Sequence, residues 1–184
     1  MQKPQYAQEC NIKTLLGDDK HGILSITDYF IFLIFHDPIR FYFIGIFVVA
    51  SSVYGKEWGA HQAIDGKFSK DGFGYFHSAV EPYPWLMIRL NQGIILSGIT
   101  IHNRQDCCGD RLKAIEIRAG EELIDEGHSG LIEENTKCGK FDGPGETGGV
   151  HAIICDRPIA ARIVTIQIKR SGNQVLNLDE IELL

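Results

Sequence analysis

The sequence predicts an all-β sandwich, on three observations about residues 50 to 184. Apolar runs of strand length recur along this part, and turn-rich stretches separate them. Two of the runs alternate between apolar and polar residues, which is typical of strands with one buried face. No segment has a long helical period and no internal repeat is present, so a single two-layer β module follows. The alternating apolar positions are Ile115, Ile117 and Ala119 in one run and Val164, Ile166 and Ile168 in the other.

Six apolar runs predict the strands in order. They cover residues 85–90, 94–101, 112–119, 151–155, 162–169 and 178–184. Glycine, proline and asparagine mark the turns between them, as in residues 139–145 and 171–173. Residues 46–184 therefore form the predicted domain.

Residues 1–45 are assigned to an N-terminal extension. Its apolar runs, 30–35 and 41–50, are separated by His36-Asp37-Pro38-Ile39-Arg40, so we expect no membrane span. Arg40 followed by an apolar run that ends in Val48-Val49-Ala50 is typical of a secretory signal with a small-residue cleavage site. Our hypothesis is that this signal is internal because the first 40 or so residues come from a doubtful start or splice choice. In the alternative interpretation, residues 46–49 form the first strand of the domain.

Composition bounds the class of partner. With 184 residues, 44% hydrophobic and 23% charged, the chain has the make-up of one globular domain. A net charge of −6 argues against a protein that binds nucleic acid or anionic membranes through a basic surface. We therefore expect no nucleic-acid partner, and the arginines act locally.

The cysteines indicate an oxidising compartment. None of the five belongs to a Cys-x-x-Cys pair of the kind that zinc ribbons use. Four of them, Cys107, Cys108, Cys138 and Cys155, lie in the predicted domain, and an even number favours two disulfides and a secreted, extracellular protein. Cys10 is left over.

One motif carries the chemistry. His77 is followed after 26 residues by Arg104, one residue later by Asp106, and after four more residues by Arg111; Cys107 and Cys108 stand side by side within it. An imidazole and two guanidinium forks oriented by an acid suit a neutral, hydroxyl-rich ligand. The arrangement resembles the fucose-binding motif of the F-type lectins (fucolectins), and the likeness continues through residues 63–66, 84–85 and 177–180 to the C-terminus.

The resemblance implies a galactose-binding-like jelly roll, as in discoidin domains, that binds terminal L-fucose without catalysis. In such lectins His77, Arg104 and Arg111 would donate hydrogen bonds to the sugar, and Asp106 would orient the arginines. Cys107 and Cys108 would form a vicinal disulfide on which the apolar edge of the sugar stacks. Fucosylated glycans are the implied partners, and one shallow site would gain avidity from a homo-oligomer.

Simpler interpretations of the same residues remain. His77 could be an ordinary surface histidine, and the arginines could form exposed ion pairs with Asp106 and Asp110, which stabilise little. Cys107 and Cys108 could be free buried thiols, or one could be a nucleophile with His77 as its base. A fucose methyl group needs an apolar pocket, for which the candidates are Tyr54, Trp58, Phe73 and Tyr75.

The resemblance also implies calcium and a second disulfide. The ligand positions are the side chains of Asp65 and Glu180 and the main-chain oxygens of Gln62, Lys67, Gly74 and Asp179. Three features depart from the family: a shorter loop before His77, Gly74 in place of a serine ligand, and a lysine at Lys67. Cys138 and Cys155 match the remaining bridge, whereas the positions of a third disulfide are Tyr75 and Asp179.

Two other functions stay open. A discoidin-type module could bind protein or lipid without any sugar specificity, and such a module would tolerate loss of the motif. The chain could also be a carbohydrate-binding appendage of a glycosidase, although 184 residues leave no room for a catalytic domain beside the lectin-like part.

Overall fold

A computed structural model describes residues 8–9, 47–69 and 72–184 of the chain. These residues form nine strands and three short 3₁₀-helices, at Lys56–Trp58, Ala60–Ile64 and Gly109–Arg111. The strands are β1 Gln8–Glu9, β2 Phe47–Ala50, β3 Phe76–His77, β4 Trp85–His102, β5 Ile115–Gly120, β6 Thr136–Phe141, β7 Val150–Ile168, β8 Asn177–Leu178 and β9 Glu180–Leu183. The predicted all-β class is confirmed.

All strand pairs are antiparallel. The larger sheet has the order β1-β2-β4-β7-β5-β6, with β9 added to the second half of β4, and β3 pairs with β8 in a small separate sheet. Two of these strands, β4 and β7, are paired along nearly their whole length, from Trp85 opposite Gln167 to His102 opposite Val150. They are the frame from which the loops of the site emerge.

The prediction that residues 85–90 and 94–101 are separate strands is wrong. Both lie in β4, and the register with β7 shifts between Arg89 and Ile94, as at a β-bulge. Of the residues at this shift, Asn91, Gln92 and Gly93 are exposed, so the apolar pattern stops after the buried Leu90 while the backbone stays extended. For the same reason residues 151–155 and 162–169 belong to the single strand β7.

Strand β6 was not predicted from the sequence. Its residues, Thr-Lys-Cys-Gly-Lys-Phe, lack the apolar alternation that marks a strand, yet they pair along β5. Cys138 lies within β6 and is fully buried, and it forms a disulfide with Cys155 of β7. On the chain-entropy model a bridge across 17 residues stabilises the fold by about 3 kcal/mol. This confirms the implied pairing and explains how a weakly apolar edge strand is held.

The core contains the predicted apolar faces. Ile115, Ile117 and Ala119 are at most 1% exposed, and Ile166 and Ile168 are fully buried. The opposite face of β7 is covered as well, since Gln167 accepts a hydrogen bond from Ile132 N at 2.9 Å. A loop therefore closes the outer face of the sheet at this point.

Residues 47–50 form strand β2, close to the segment 46–49 that the alternative interpretation predicted as a strand. Its residues Val48 and Val49 are buried, and Phe47 pairs with Arg89. Residues 10–46, which include Cys10 and most of the signal-like run, lie outside the described residues, so the signal hypothesis stays a prediction. In the part of the chain that the structure describes, no helix is long and apolar enough to cross a membrane.

Candidate functional site

The segment after β4, residues 103–112, carries most of the motif and is here called the arginine loop. Its first residue, Asn103, is 1% exposed and ties the loop together. The Asn103 side chain accepts from Arg104 N at 2.9 Å and donates to Gly109 O at 3.0 Å and Glu146 O at 2.7 Å. Both ends of the arginine loop are therefore fixed to one buried amide.

A second loop, residues 143–149, lies against the arginine loop. Gly148 N donates to Arg104 O at 2.8 Å, and Asn103 N donates to Gly149 O at the same distance. At Gly109 the two backbones touch, because a Cβ there would lie 2.2 Å from Thr147 N. Only glycine fits this position, so the close approach of the two loops is built into the sequence.

Arg104 is oriented by Asp106. Its Nε donates to Asp106 Oδ1 at 2.5 Å and its Nη2 donates to Asp106 Oδ2 at 2.8 Å. This pairing raises the pKa of Arg104 and lowers the pKa of Asp106. The guanidinium also lies over the ring of the buried Tyr75, 4.5 Å from its centroid. The end of the fork, with N–H groups on both Nη atoms, remains free for a ligand.

His77 is held in a defined tautomer. It lies on β3, is 9% exposed, and its Nδ1 is 2.6 Å from Ser78 O. A carbonyl can only accept, so Nδ1 carries the hydrogen. Burial lowers the pKa of His77, the Ser78 carbonyl raises it, and the nearby Arg111 and Arg104 charges lower it further. With its pKa lowered, the neutral ring offers Nε2 as an acceptor, and the expectation that His77 hydrogen-bonds a sugar stays a prediction.

Arg111 meets His77 from the 3₁₀-helix at the end of the arginine loop. Its Nη1 lies 3.4 Å from His77 Nε2 and 3.4 Å from Oδ1 of Asn177. Among the described residues no carboxylate lies within salt-bridge distance of Arg111. The prediction that Asp106 orients both arginines is therefore wrong for Arg111, which an amide holds instead.

Cys107 and Cys108 form the vicinal disulfide that the resemblance implied. Cys108 has φ of 60°, in the left-handed region that non-glycine residues seldom occupy. Both cysteines are half-buried, so one side of the pair is open to a ligand. Because both sulfurs are bonded, the free-thiol and nucleophile interpretations are wrong.

Aromatic side chains surround His77. The rings of Tyr54 and Phe73 are 62% and 58% exposed, Trp58 is half-buried between them, and Tyr75 is fully covered. The centroid of Tyr54 lies 4.9 Å from His77, and Trp58 stacks on Phe73 at 6.3 Å. Three of the four candidates therefore form an open apolar wall beside the histidine, whereas Tyr75 supports Arg104 from below.

Some of the residues implied for calcium lie close to one another. Glu180 is 6% exposed and its Oε2 accepts from Gly66 N at 3.2 Å, while Asp65 Oδ1 accepts from Lys67 N at 2.9 Å. Burial raises the pKa of Glu180 to about 8 although Gly66 N–H lowers it, and the negative charges of Asp65, Asp179 and Glu182 add to the rise.

A cation would fit these residues. The Oε1 of Gln62 is buried with no hydrogen-bond partner in the described structure, and its 3₁₀-helix packs on β9, which begins at Glu180. No three histidine, cysteine, aspartate or glutamate side chains group together around a possible metal position in the described ranges. A site here must therefore combine the two carboxylates with amide and main-chain oxygens, which are hard ligands of the kind calcium takes.

Sequence reasoning missed three supporting residues. Asn103 and Asn177 occupy no motif position, and Asp179 was expected to supply only a main-chain oxygen. The buried Asp179 side chain accepts from Ser69 N at 2.8 Å and from Gln105 Nε2 at 2.7 Å. It therefore links Ser69, which lies between the implied calcium ligands Lys67 and Gly74 in the sequence, to the arginine loop. In the sequence, Asn103 adjoins the motif, and Asn177 and Asp179 lie in the stretch 177–180 that resembles the family, which are the signals that could have identified them.

Comparison with known proteins adds to this geometry. The sequence matches the F5/8 type C domain family over residues 48–181. It is 33% identical over 123 residues to Fucolectin-1 of Anguilla japonica, covering 65% of this chain and 64% of that protein. It is 32% identical over 127 residues to Fucolectin of Anguilla anguilla, covering 67% of this chain and 74% of that one.

A solved structure shows the same fold. The F-lectin (fucolectin) from the serum of striped bass, Morone saxatilis, superposes with a TM-score of 0.64 at 31% identity. The match covers 74% of this chain and 45% of that one. The predicted jelly-roll β-sandwich of the galactose-binding-like type is thereby confirmed, and the chain spans less than two thirds of the length of the Anguilla japonica relative.

Proposed function

This chain belongs to the F5/8 type C domain family and to its fucolectin branch, and we propose that it is a lectin for terminal L-fucose on glycans. One observation carries the proposal. His77 on β3 and the two arginines of the arginine loop meet at one place, where Arg111 Nη1 lies 3.4 Å from His77 Nε2 and the charges of both arginines lower the pKa of His77. The relatives named above are fucolectins, and their name supports the same ligand class.

The geometry suits neighbouring hydroxyl groups. The free end of the Arg104 fork and the remaining N–H groups of Arg111 donate to sugar oxygens. His77 Nε2 is an acceptor, so a sugar hydroxyl that accepts a hydrogen bond from an arginine can donate its own hydrogen bond to the imidazole. An axial hydroxyl beside an equatorial one, as in L-fucose, presents two oxygens close enough to share this set. The disulfide face and the Tyr54 and Phe73 rings take the apolar edge and the methyl group.

Calcium is part of the proposal. Asp65, Glu180, Gln62 and the main chain near Lys67, Gly74 and Asp179 would hold it, and its positive charge would offset that of the buried Glu180 carboxylate. These residues act on the sugar site only indirectly, because Asp179 connects them to Gln105 in the arginine loop. We expect the ion to stabilise the loops and to leave sugar preference unchanged.

The setting is proposed to be extracellular, in keeping with two disulfides and with the serum source of the striped bass relative. A single shallow site binds a monosaccharide weakly. We therefore expect a homo-oligomer or a dense glycan surface to provide avidity.

Elution from a fucosylated support tests the function. We expect L-fucose to release the bound protein, and D-glucose or D-mannose to leave it bound. The matched control is Arg104→Ala, which should not bind the support although the domain stays folded. Equal elution by D-glucose would contradict the proposal. Retention by protein or lipid surfaces that does not depend on Arg104 would indicate the discoidin-type alternative.

A further inference from the structure

Asn177 lies opposite His77 in the small sheet. Phe76 pairs with Leu178 and His77 pairs with Asn177, so the two side chains occupy matched positions on β3 and β8. Asn177 is 2% exposed. Its Oδ1 lies 3.4 Å from Arg111 Nη1, which is the nitrogen that also faces His77 Nε2. Residues from three segments thus meet at a single guanidinium nitrogen.

The amide of Asn177 is costly to the fold. Its Nδ2 is buried and has no hydrogen-bond partner in the described structure. A buried donor without a partner destabilises the folded state, whereas a leucine of similar volume at the same position would avoid that loss. Packing alone therefore favours an apolar residue at this position, so the contact made by the Asn177 side-chain oxygen must account for the asparagine.

We infer that Asn177 is a positioning residue of the sugar site, which holds Arg111 against His77 without touching the ligand. The inference rests on the proposed function and adds to it a residue outside the motif. Arg104 has Asp106 to fix its plane, but Arg111 has no carboxylate within reach in the described part of the chain. The neutral oxygen of Asn177 replaces the carboxylate and leaves the full positive charge of Arg111 beside the histidine.

Loss of the Asn177 oxygen has two measurable consequences. Arg111 gains rotamer freedom, so sugar binding must pay for ordering it. The guanidinium also moves away from His77, and the pKa of His77 rises because a neighbouring positive charge is lost. The charged groups that act on His77 are Arg111 and Arg104, both from the arginine loop, and its other close neighbours are the Ser78 carbonyl and the rings of Tyr54 and Tyr75.

The experiment compares Asn177→Leu, Asn177→Asp and a control, Thr165→Val, in the full chain. Thr165 is a buried polar residue on β7, 2% exposed, whose hydroxyl contacts Arg118 O rather than the site. For each protein we would measure the melting temperature, the affinity for L-fucose by calorimetry, and the pKa of His77 by NMR titration of its ring.

We expect Asn177→Leu to melt no lower than wild type and to lose L-fucose affinity about tenfold, as for one hydrogen bond to a charged group. Its His77 pKa should rise. Asn177→Asp keeps an acceptor for Arg111, so its affinity for L-fucose should stay within about threefold of wild type. This change is smaller than the roughly tenfold loss expected when the hydrogen bond is removed. Thr165→Val should change neither the affinity nor the His77 pKa.

Several results would overturn the inference. Wild-type affinity and an unchanged His77 pKa in Asn177→Leu would show that Asn177 does not position Arg111. If Asn177→Leu does not fold, a loss of about tenfold or more in folded Asn177→Asp would show that an acceptor at this position is not what holds Arg111. If wild type itself does not bind L-fucose, the proposed function fails, and the His77 titration still decides whether Asn177 holds Arg111.

Discussion

Asp106 offers the sharpest quantitative test of how the site is organised. It makes two hydrogen bonds to Arg104, at 2.5 Å and 2.8 Å, and a hydrogen bond to a charged group contributes about 1.5–3 kcal/mol. The two side chains are 12% and 34% exposed, so water screens part of the attraction. We therefore take about 2 kcal/mol for the orientation of Arg104, at the lower end of that range.

This magnitude predicts a graded series. Asp106→Ala should weaken L-fucose binding about 30-fold, at 1.4 kcal/mol for each factor of ten. Asp106→Asn retains one of the two acceptor oxygens and should weaken binding about fivefold, as expected for roughly half of that free energy. Because the pair lies in a loop and is partly exposed, neither variant should shift the melting temperature by more than about 2 °C.

A double-mutant cycle separates orientation from direct contact. Asp106 acts on the sugar only through Arg104, so Asp106→Ala should cost nothing further in an Arg104→Ala background. Binding to densely fucosylated beads makes the weak variants measurable through avidity. An additive loss in the double variant would mean that Asp106 contacts the ligand itself, and the orienting role would be refuted.

Three further outcomes follow from the same geometry. L-fucose affinity should stay constant above pH 6.5 and fall below it, because His77 accepts a hydrogen bond only when neutral and its lowered pKa delays protonation. The stability that burial of the neutral ring provides is likewise present above the unfolded-state pKa and is lost as the pH falls through the folded-state pKa. A pH-independent affinity in wild type would contradict this prediction. Mild reduction should open the half-buried Cys107–Cys108 bond before the buried Cys138–Cys155 bond, and it should abolish L-fucose binding while the circular dichroism spectrum stays native. If thiol labelling shows that the vicinal bond is open and the protein still binds, the disulfide face is dispensable. Chelation should lower the melting temperature of wild type but not of Glu180→Gln. Asp65→Asn should likewise lose the change in melting temperature with calcium, without a change in sugar preference. Identical wild-type melting curves in chelator and in excess calcium would show that no ion is held.

Local sequence identified side chains that the structure brings together, and their role in binding stays a prediction. The motif spacing identified His77, Arg104, Asp106 and Arg111; in the structure Arg111 contacts His77, and Asp106 pairs with Arg104. The pairing of the adjacent cysteines was implied by the resemblance and not by their position alone, and the structure shows the bond. What the spacing could not give was the direction of each hydrogen bond, since the role of His77 depends on the Ser78 carbonyl and that of Arg111 on Asn177.

The supporting residues escaped because they act across long sequence separations. Asn177 is 66 positions from Arg111, and Asp179 is 74 positions from Gln105. Tyr75 and Asp179, at the positions of the family's third disulfide, illustrate the same limit. Tyr75 precedes Phe76 and Asp179 follows Leu178, so both adjoin the same antiparallel pair. Here a ring under Arg104 and a hydrogen-bonded carboxylate take the place of a covalent link.

The fold class was predictable, whereas the strand boundaries were not. Apolar runs report which backbone is buried, so the alternation in β5 and β7 predicted the core face correctly. They do not report hydrogen bonding, so the sequence predicts a strand end at the exposed part of the bulge in β4 and no strand at β6, which has two lysines and a glycine. Both errors concern backbone that is extended without being apolar.

The structure of the full chain with L-fucose tests the central claim most directly. We expect one sugar bound beside the Cys107–Cys108 bond, with a hydroxyl donating to His77 Nε2 and with Arg104 and Arg111 donating to its oxygens. A saturated crystal with the sugar bound elsewhere, or with His77 and both arginines free of it, would contradict the account.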